Sequence, residues 1–418
     1  MYNNSKEVLT ILVAKTEKGK VIFLDGTHSP HVIRTRFANT SFYCPQCNEK
    51  LQLKVGSIKI PHFAHVTKSL CDSYSEPETK EHLLAKYKLY RWLKTQGWDV
   101  SVEKPYPDLG QRSDLSTVLN GQEFAVEFQC SSLSYGQYRK RTEGYYKRNI
   151  IPLWILAASK FPNGKSRFSH KLPLSSFHQQ FIRYSSSLGQ YFLIFYNAEK
   201  ESIILLQPII AISKNSFLTM HSETRVFSLT FPHFPLPSIS LSSIDLKIFI
   251  QARKKWQENR IIYGKGNKDF LLSEFYQNQL FIHLLPLWVG LPVRHALAIK
   301  EPVFEWQAYL YLLLIRNDRT NRAVSLKQLK DLISRLIKTN KISRRLMHDT
   351  SNEGVLKAVE EYILLLKKLA ILDGQSEFKL NQENPFVKQP STPYKENEVE
   401  EFWRIKGKEI IHQFNERQ

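Results

Sequence analysis

A chain of 418 residues, 42% hydrophobic, has an ordinary globular composition and is long enough for two or three domains with a substantial core. Its 59 Lys+Arg against 39 Asp+Glu give a net charge of +20, which makes a polyanion the natural partner, nucleic acid first and an anionic membrane surface second. No apolar stretch approaches the length of a membrane span, and residues 1–10 lack the apolar core of a secretory signal, so membrane insertion is excluded and a cytoplasmic location expected.

Along residues 1–72, an apolar run over 8–14, a polar Glu17-Lys18-Gly19-Lys20 turn and a second run over 21–24 predict a β-hairpin. Cys44-Pro45-Gln46-Cys47, His62-Phe63-Ala64-His65 and Cys71 follow. In a reducing compartment such clustered cysteines point to metal ligation rather than disulfides. Two cysteines separated by two residues put both thiolates on one knuckle, and a later group closes a tetrahedral zinc site, giving a zinc-ribbon-like module. Five candidates compete for four positions. Cys44, Cys47, His65 and Cys71 are the expected Zn2+ ligands, with His62 the alternative. A redox pair is disfavoured because no thioredoxin-like βαβ pattern surrounds it. The fourth cysteine, Cys130, is expected to be a small buried residue.

Residues 73–215 form the second region. Ser75-Glu76-Pro77-Glu78 is a capping-box start with proline in the first turn. Leu83, Leu84, Tyr87, Tyr90 and Leu93 make the apolar stripe of the ensuing helix, Lys80, Lys86 and Lys88 fall mostly outside it, and Gly97 ends it. A strand over 99–103, a Pro105-to-Pro107 turn, a hairpin around Asn120-Gly121, a helix over 134–148 and an apolar strand over 150–156 give the order αβββαβ. A helix linking the last two strands implies their parallel pairing in a mixed, mostly buried sheet, so the expected class is α/β. The stretch 161–188 lacks a clear period and is expected to loop over the surface, while 191–197 and 203–212 read as added strands. The Pro- and Ser-rich segment 231–238 is the expected junction before a helical pattern over 244–258, 304–315, 326–337, 355–372 and the tail 397–417. The mainly helical third region is drawn as 216–418.

The hairpin carries the chemistry. Asn120-Gly121 suits the two positive φ angles of a type I′ turn, which pairs Leu119 with Gln122. Counting outward sets Leu115 against Val126 and Thr117 against Phe124 on the core face, with Asp114 across from Glu127 on the other, where Gln129 also lies. Opposed side chains have Cβ atoms roughly 4.5 to 5.5 Å apart, and like charges there repel. A bound hard cation, Mg2+ or Mn2+, removes the conflict. The alternative is a solvated hairpin face, which Ser116 and Glu123 share.

The αβββαβ order, with an acid on the second strand and Glu-x-Gln on the third, resembles the PD-(D/E)xK nuclease superfamily. Glu81-His82, Glu127-Phe128-Gln129-Cys130-Ser131, Arg141-Thr142 with Tyr145, Trp154-Ile155-Leu156 and the upstream Cys-Pro-x-Cys and His-Phe-Ala-His together resemble the competence protein CoiA family over residues 1–160. Phe304-Glu305-Trp306-Gln307 is similar to that group further on. The resemblance implies a restriction-endonuclease-like core in a bacterial protein of natural transformation, acting on or beside incoming DNA before or during recombination. It carries Glu81 over as an acid assisting the Asp114–Glu127 ion, with His82 as a secondary candidate.

Phosphodiester hydrolysis needs an activated water and stabilisation of charge on phosphate. Where the superfamily usually has lysine, this chain has Gln129, which can orient water but carries no charge. Arg139, Lys140, Arg141 or Lys147 on the following helix are the candidates to compensate, and Lys140, Arg141 and Lys147 the expected DNA-phosphate contacts. Helical spacing puts Lys140 and Lys147 on one side and Tyr135, Tyr138, Thr142 and Tyr145 on another, where core packing outweighs base stacking. Two functions follow: a magnesium-dependent DNA endonuclease using Glu81, Asp114, Glu127 and Gln129, or a non-catalytic DNA-binding adaptor that recruits recombination proteins.

Overall fold

The computed structural model describes residues 10–24, 28–45, 47–56, 60–66, 79–162, 171–237, 243–264, 269–348, 352–388 and 390–415. The chain divides into two compact units, one of Met1–Phe161, Leu193–Leu206 and His221–Leu236, the other of Pro162–Phe192, Gln207–Met220 and Pro237–Gln418.

The first unit begins with strands β1 (Thr10–Ile11), β2 (Val13–Thr16) and β3 (Val21–Phe23), helix α1 (Pro30–Arg36), then β4 (Phe42–Tyr43), β5 (Lys50–Lys54) and β6 (His62–His65). The expected hairpin forms, with Val13 opposite Phe23 and Lys15 opposite Val21. Strand order is β1-β6-β5-β4-β2-β3. α1, which has no counterpart among the sequence expectations, starts on a Ser29 cap that accepts from the Val32 amide, with proline in its first turn. Ile11, Ala14, Ile33, Phe42, Cys44, Leu51 and Phe63 form the core beneath it.

The αβββαβ order follows: α2 (Lys80–Thr95), β7 (Val100–Val102), a small pair β8 (Pro105–Tyr106) and β9 (Gln111–Arg112), β10 (Leu115–Leu119), β11 (Gln122–Gln129), α3 (Tyr135–Lys147) and β12 (Ile150–Ala157). The expected start of α2 at Ser75–Glu78 lies outside the described residues; Thr79 caps the helix as it appears, accepting from the His82 amide. Asn120 and Gly121 sit at φ 49° and 80°, as a type I′ turn requires, and the register Leu119↔Gln122, Thr117↔Phe124, Leu115↔Val126 is the expected one. β11 runs parallel to β12, placing Glu127 beside Trp154, and α3 supplies the crossover that parallel neighbours need. Beyond β12 lie the strands Gln190–Asn197, parallel to it, and Ser202–Ala211, antiparallel to that.

α2 differs from its sequence reading by a rotation of its buried face. His82, Leu83, Ala85, Lys86, Leu89, Trp92 and Leu93 are buried, whereas Leu84, Tyr87 and Tyr90 are half-buried. Lys86, expected outside the stripe, is fully buried. Positions 82, 86, 89 and 93 share a helical face, and an acidic pocket beneath that face draws the lysine in. The hairpin is also less open than a solvated face would be, because Ser116, Ala125, Glu127 and Gln129 are all buried.

In the second unit, residues 171–185, expected to loop, contain a strand (Lys171–Pro173), a short helix (Ser176–Gln179) and a second strand (Arg183–Ser185). Leu172, Leu174, Phe181 and Ile182 bury themselves there without any repeating period. A strand, Ser216–Arg225, follows the added pair. The anticipated helices appear as Ser243–Tyr263, Val303–Asp318, Leu326–Lys338, Asn352–Lys368 and Glu396–Asn415. Fully buried Arg345 ties this unit together, donating to the carbonyls of Leu297, Ile299, Lys300 and Lys214 and to Gln179 Oε1. Among the described residues no helix is long and apolar enough to cross a membrane.

Candidate functional site

The N-terminal sheet brings three metal-type ligands together. The turn after β4 carries Cys44 and Cys47, β6 ends in His65, and their Sγ and imidazole nitrogen atoms all lie within 4.8 Å of one another. Cys47 Sγ sits 3.4 Å from His65 Nε2, while His62 Nδ1 instead meets the Ile60 carbonyl at 2.8 Å. Cys71 lies outside the described residues. Two thiols and an imidazole are the soft donor set that tetrahedral zinc takes, so these residues fit the ion the motif implies. Cys130, expected to be buried, is half-exposed at the end of β11.

The second cluster is built where β10 enters the sheet beside β11. Asp114, immediately before β10, accepts from His82 Nε2 at 3.1 Å and from the Phe128 amide at 2.9 Å, and lies 3.8 Å from Lys86 Nζ. Burial alone would raise its pKa, but the His82 and Lys86 charges and the Phe128 N–H outweigh that and hold the carboxyl well below the usual carboxylate range. Lys86 also reaches Glu103 at 2.7 Å, and Glu103 accepts from the Leu12 amide at 3.0 Å with Arg112 at 3.8 Å. An acid–lysine–acid chain therefore runs from Asp114 to the N-terminal sheet within the same unit.

Glu127 is partnered from the other helix. Arg141 donates to its Oε1 at 2.7 Å, Tyr145 donates to the same oxygen, and Arg141 also donates to the Arg112 carbonyl at 3.2 Å. Arg141 is further seated over the Trp154 ring, 5.2 Å from its centroid. Burial pushes the Glu127 carboxyl up to about 7, with the nearby Asp114 charge adding to the rise and Arg141 and Tyr145 opposing it. The two acids thus feel one another's charge, yet Asp114 is satisfied from α2 and Glu127 from α3.

The remaining candidates are dispersed. Glu81 accepts from Ser159 Oγ at 2.7 Å and, among the described residues, forms no tight three-acid group with Asp114 and Glu127. Gln129 is buried at the end of β11, its amide donating to the Ser131 carbonyl at 3.2 Å. Of the cations considered for the missing lysine, Arg141 turns to Glu127. Arg139 pairs with Glu143 in solvent, and Lys140 and Lys147 are exposed on the outer face of α3. Of the four residues assigned to the other side of α3, Tyr138, Thr142 and Tyr145 are buried, whereas Tyr135 is half-buried. Lys86, Glu103 and Arg112 were not legible as site residues. The one available signal was Lys86 four residues after His82, on the same helical face.

Three family models match the chain: "Competence protein CoiA, N-terminal domain" over residues 24–74, "Competence protein CoiA, nuclease-like domain" over 78–238, and "Competence protein CoiA, C-terminal domain" over 244–391. The chain is also similar to the "Competence protein CoiA" of Bacillus subtilis (strain 168), 33% identical over 352 residues that make up 82% of this chain and 90% of that protein. No solved structure gives a significant match.

Proposed function

Because this chain belongs to the competence protein CoiA family, we propose that its nuclease-like domain is a PD-(D/E)xK-type core that cleaves DNA phosphodiesters with magnesium during natural transformation. The observation that carries this reading is the Asp114–Glu127 pair, Glu127 buried and Asp114 partly so, whose environments drive two like groups apart, Asp114 held below the usual carboxylate range and Glu127 raised to about 7. Divergent pKa values of paired acids accompany a division of chemical labour.

Asp114 and Glu127 would hold the metal, which when bound supplies Lewis acidity and a more acidic water. Asp114, its pKa held low against burial by the His82 and Lys86 charges, would be the charged ligand, hydrogen-bonded by His82 and the Phe128 amide. Glu127, which accepts from Arg141 and Tyr145, would in its ionised form serve as the other ligand. Arg141, paired with Glu127, would supply beside the acids the positive charge that Gln129 lacks, and Gln129 would orient water by hydrogen bonding. The exposed Lys140 and Lys147 on α3 contact the DNA backbone. In the N-terminal module Cys44, Cys47 and His65 would hold zinc in a structural role, with Cys71 as the fourth ligand expected from the motif.

Cleavage of single- and double-stranded DNA by the full chain, with magnesium or manganese, tests the assignment against Asp114→Asn and Glu127→Gln. Loss of a ligand carboxylate is expected to slow the reaction by on the order of a hundredfold or more; unaltered cleavage in both variants overturns it. A second reading has its own observation. Glu127 is already engaged by hydrogen bonds from Arg141 and Tyr145, and glutamine replaces the motif lysine, an arrangement suited to a non-catalytic adaptor that holds DNA and recruits recombination proteins. DNA binding without cleavage in either metal would favour that reading.

A further inference from the structure

In the second unit the helix Val303–Asp318 leads into the strand Val324–Ser325, the helices Leu326–Lys338 and Asn352–Lys368 follow, and the strands Leu372–Asp373 and Glu377–Leu380 end the run. The three strands make one antiparallel sheet with Glu377–Leu380 in the middle, Val324 lying opposite Phe378 and Leu372 opposite Leu380. Helix, strand, two helices and a hairpin in that pairing are the connectivity of a winged helix-turn-helix. In such a scaffold the second helix of the helix-turn-helix, here Asn352–Lys368, ordinarily enters the major groove of duplex DNA.

That helix is not available to a groove. Val355, Ala358, Glu361, Ile363 and Leu365 are all buried, and at about 100° per residue they cover about 200° of its circumference. Glu361 is spent on the His295 amide at 2.8 Å, and of the exposed residues Glu353 pairs with Lys357. The hairpin is no better suited, since Asp373 and Glu377 are exposed at its turn. Positive charge collects on the preceding helix instead. Over residues 316–345 ten Lys and Arg stand against Asp318 and Asp331 alone. Three of the ten are withdrawn, Arg316 by Glu274, Lys330 by Glu360 and Arg345 by burial. Leu329, Ile333 and Leu336 hold the helix Leu326–Lys338 to the core, which turns Lys327, Arg335 and Lys338 outward, all exposed. These three lie within about 80° of one another around the helix and over about 16 Å of its length. Among the described residues they form no ion pair, and Asp331, exposed on the same side, is the only acid of this helix.

We propose that the second unit binds duplex DNA through this face, with Lys327, Arg335 and Lys338 seating phosphates of the backbone while Asn352–Lys368 stays packed in the interior. The inference rests on DNA as the partner, not on cleavage by the first unit. A row of cations suits a continuous run of phosphates, and contacts confined to phosphate bind without regard to sequence. The face carries no aromatic side chain, only Gln328 and Ser334 besides its charged residues, and so lacks the stacking platform that a single strand uses. Duplex DNA, whose bases are already stacked, asks for charge alone.

Titration of the full chain with a fluorescent duplex of mixed sequence, no divalent metal added and salt varied, reads affinity and salt dependence together. Lys327→Gln, Arg335→Gln and Lys338→Gln in one variant remove three phosphate contacts. The slope of log affinity against log salt should flatten by about two to three, and binding should weaken on the order of tenfold or more. Lys327→Arg, Arg335→Lys and Lys338→Arg, which keep the charges, should leave the slope as it is. Asp331→Asn should tighten binding about twofold or more. A slope untouched by the glutamine substitutions overturns the proposal, and if Lys140→Glu with Lys147→Glu still moves it, the DNA contact of the first unit stands alone. A preference for single strands that depends on the same three cations also overturns it. So does retention on phosphatidylserine vesicles that the glutamine variant loses while its duplex binding stays intact.

Discussion

Glu127→Gln should make the protein more stable at alkaline pH, by an amount that depends on pH in a specified way. An acid whose pKa rises from 4.5 to about 7 on folding binds its proton more tightly in the native state. Its ionisation therefore costs stability, beginning above 4.5 and complete above about 7. At about 1.4 kcal/mol per tenfold in proton affinity, the penalty is on the order of 3 kcal/mol. Glutamine keeps an acceptor oxygen for Arg141 and Tyr145 but never ionises, so it escapes the loss. Asp114 works in the opposite sense and in another window. Its lowered pKa contributes stability that is present above the ordinary aspartate range and lost as pH falls below it, leaving the interval from about pH 5 to 8 to Glu127. Urea unfolding of wild type and variant at both ends of that interval gives the comparison, and groups common to the two cancel. A gap between them equal at both pH values would show that Glu127 does not titrate as its burial dictates.

If the ionised form of Glu127 is the one that accepts a cation, magnesium-dependent cleavage should climb with pH through about 7, and a flat profile would remove Glu127 from that role. Lys86→Met breaks the fully buried pair with Glu103 and should cost about 3 to 5 kcal/mol; in a cycle with Glu103→Gln the double variant should lose less than the sum, and additivity would deny the coupling. Wild-type protein should contain about one equivalent of zinc by elemental analysis and Cys47→Ser much less, with chelator lowering the unfolding temperature of wild type only; equal metal in both would rule out the ligand set. Lys140→Glu with Lys147→Glu should weaken DNA binding and flatten its salt dependence by about two phosphate contacts, because both are exposed; an unchanged salt slope would place the DNA elsewhere.

Much of the framework was legible because it is local. Asn120-Gly121 dictates its turn through backbone φ alone, and with the turn came the register of β10 and β11. Ser134 and Gln137 cap α3 by reciprocal hydrogen bonds three residues apart, and Cys44, Cys47 and His65 are placed by a knuckle and the strand that returns beside it. The rest depended on groups far apart in the chain. Lys86 read as surface because a lysine is ordinarily solvated, and only the meeting of Glu103 and Asp114 beneath α2 makes its burial affordable. Arg141, nominated for phosphate, is turned inward because α3 packs over Glu127. The segment 171–185 is buried by contacts with no period to reveal them. Residue order thus determined the turns, caps, strand pairing and acid positions, since each is settled within a few bonds. Tertiary packing alone decided which cation meets which acid, and so which carboxyl is held charged and which clings to its proton, because a charge buried away from water takes its energy from whatever the fold sets beside it.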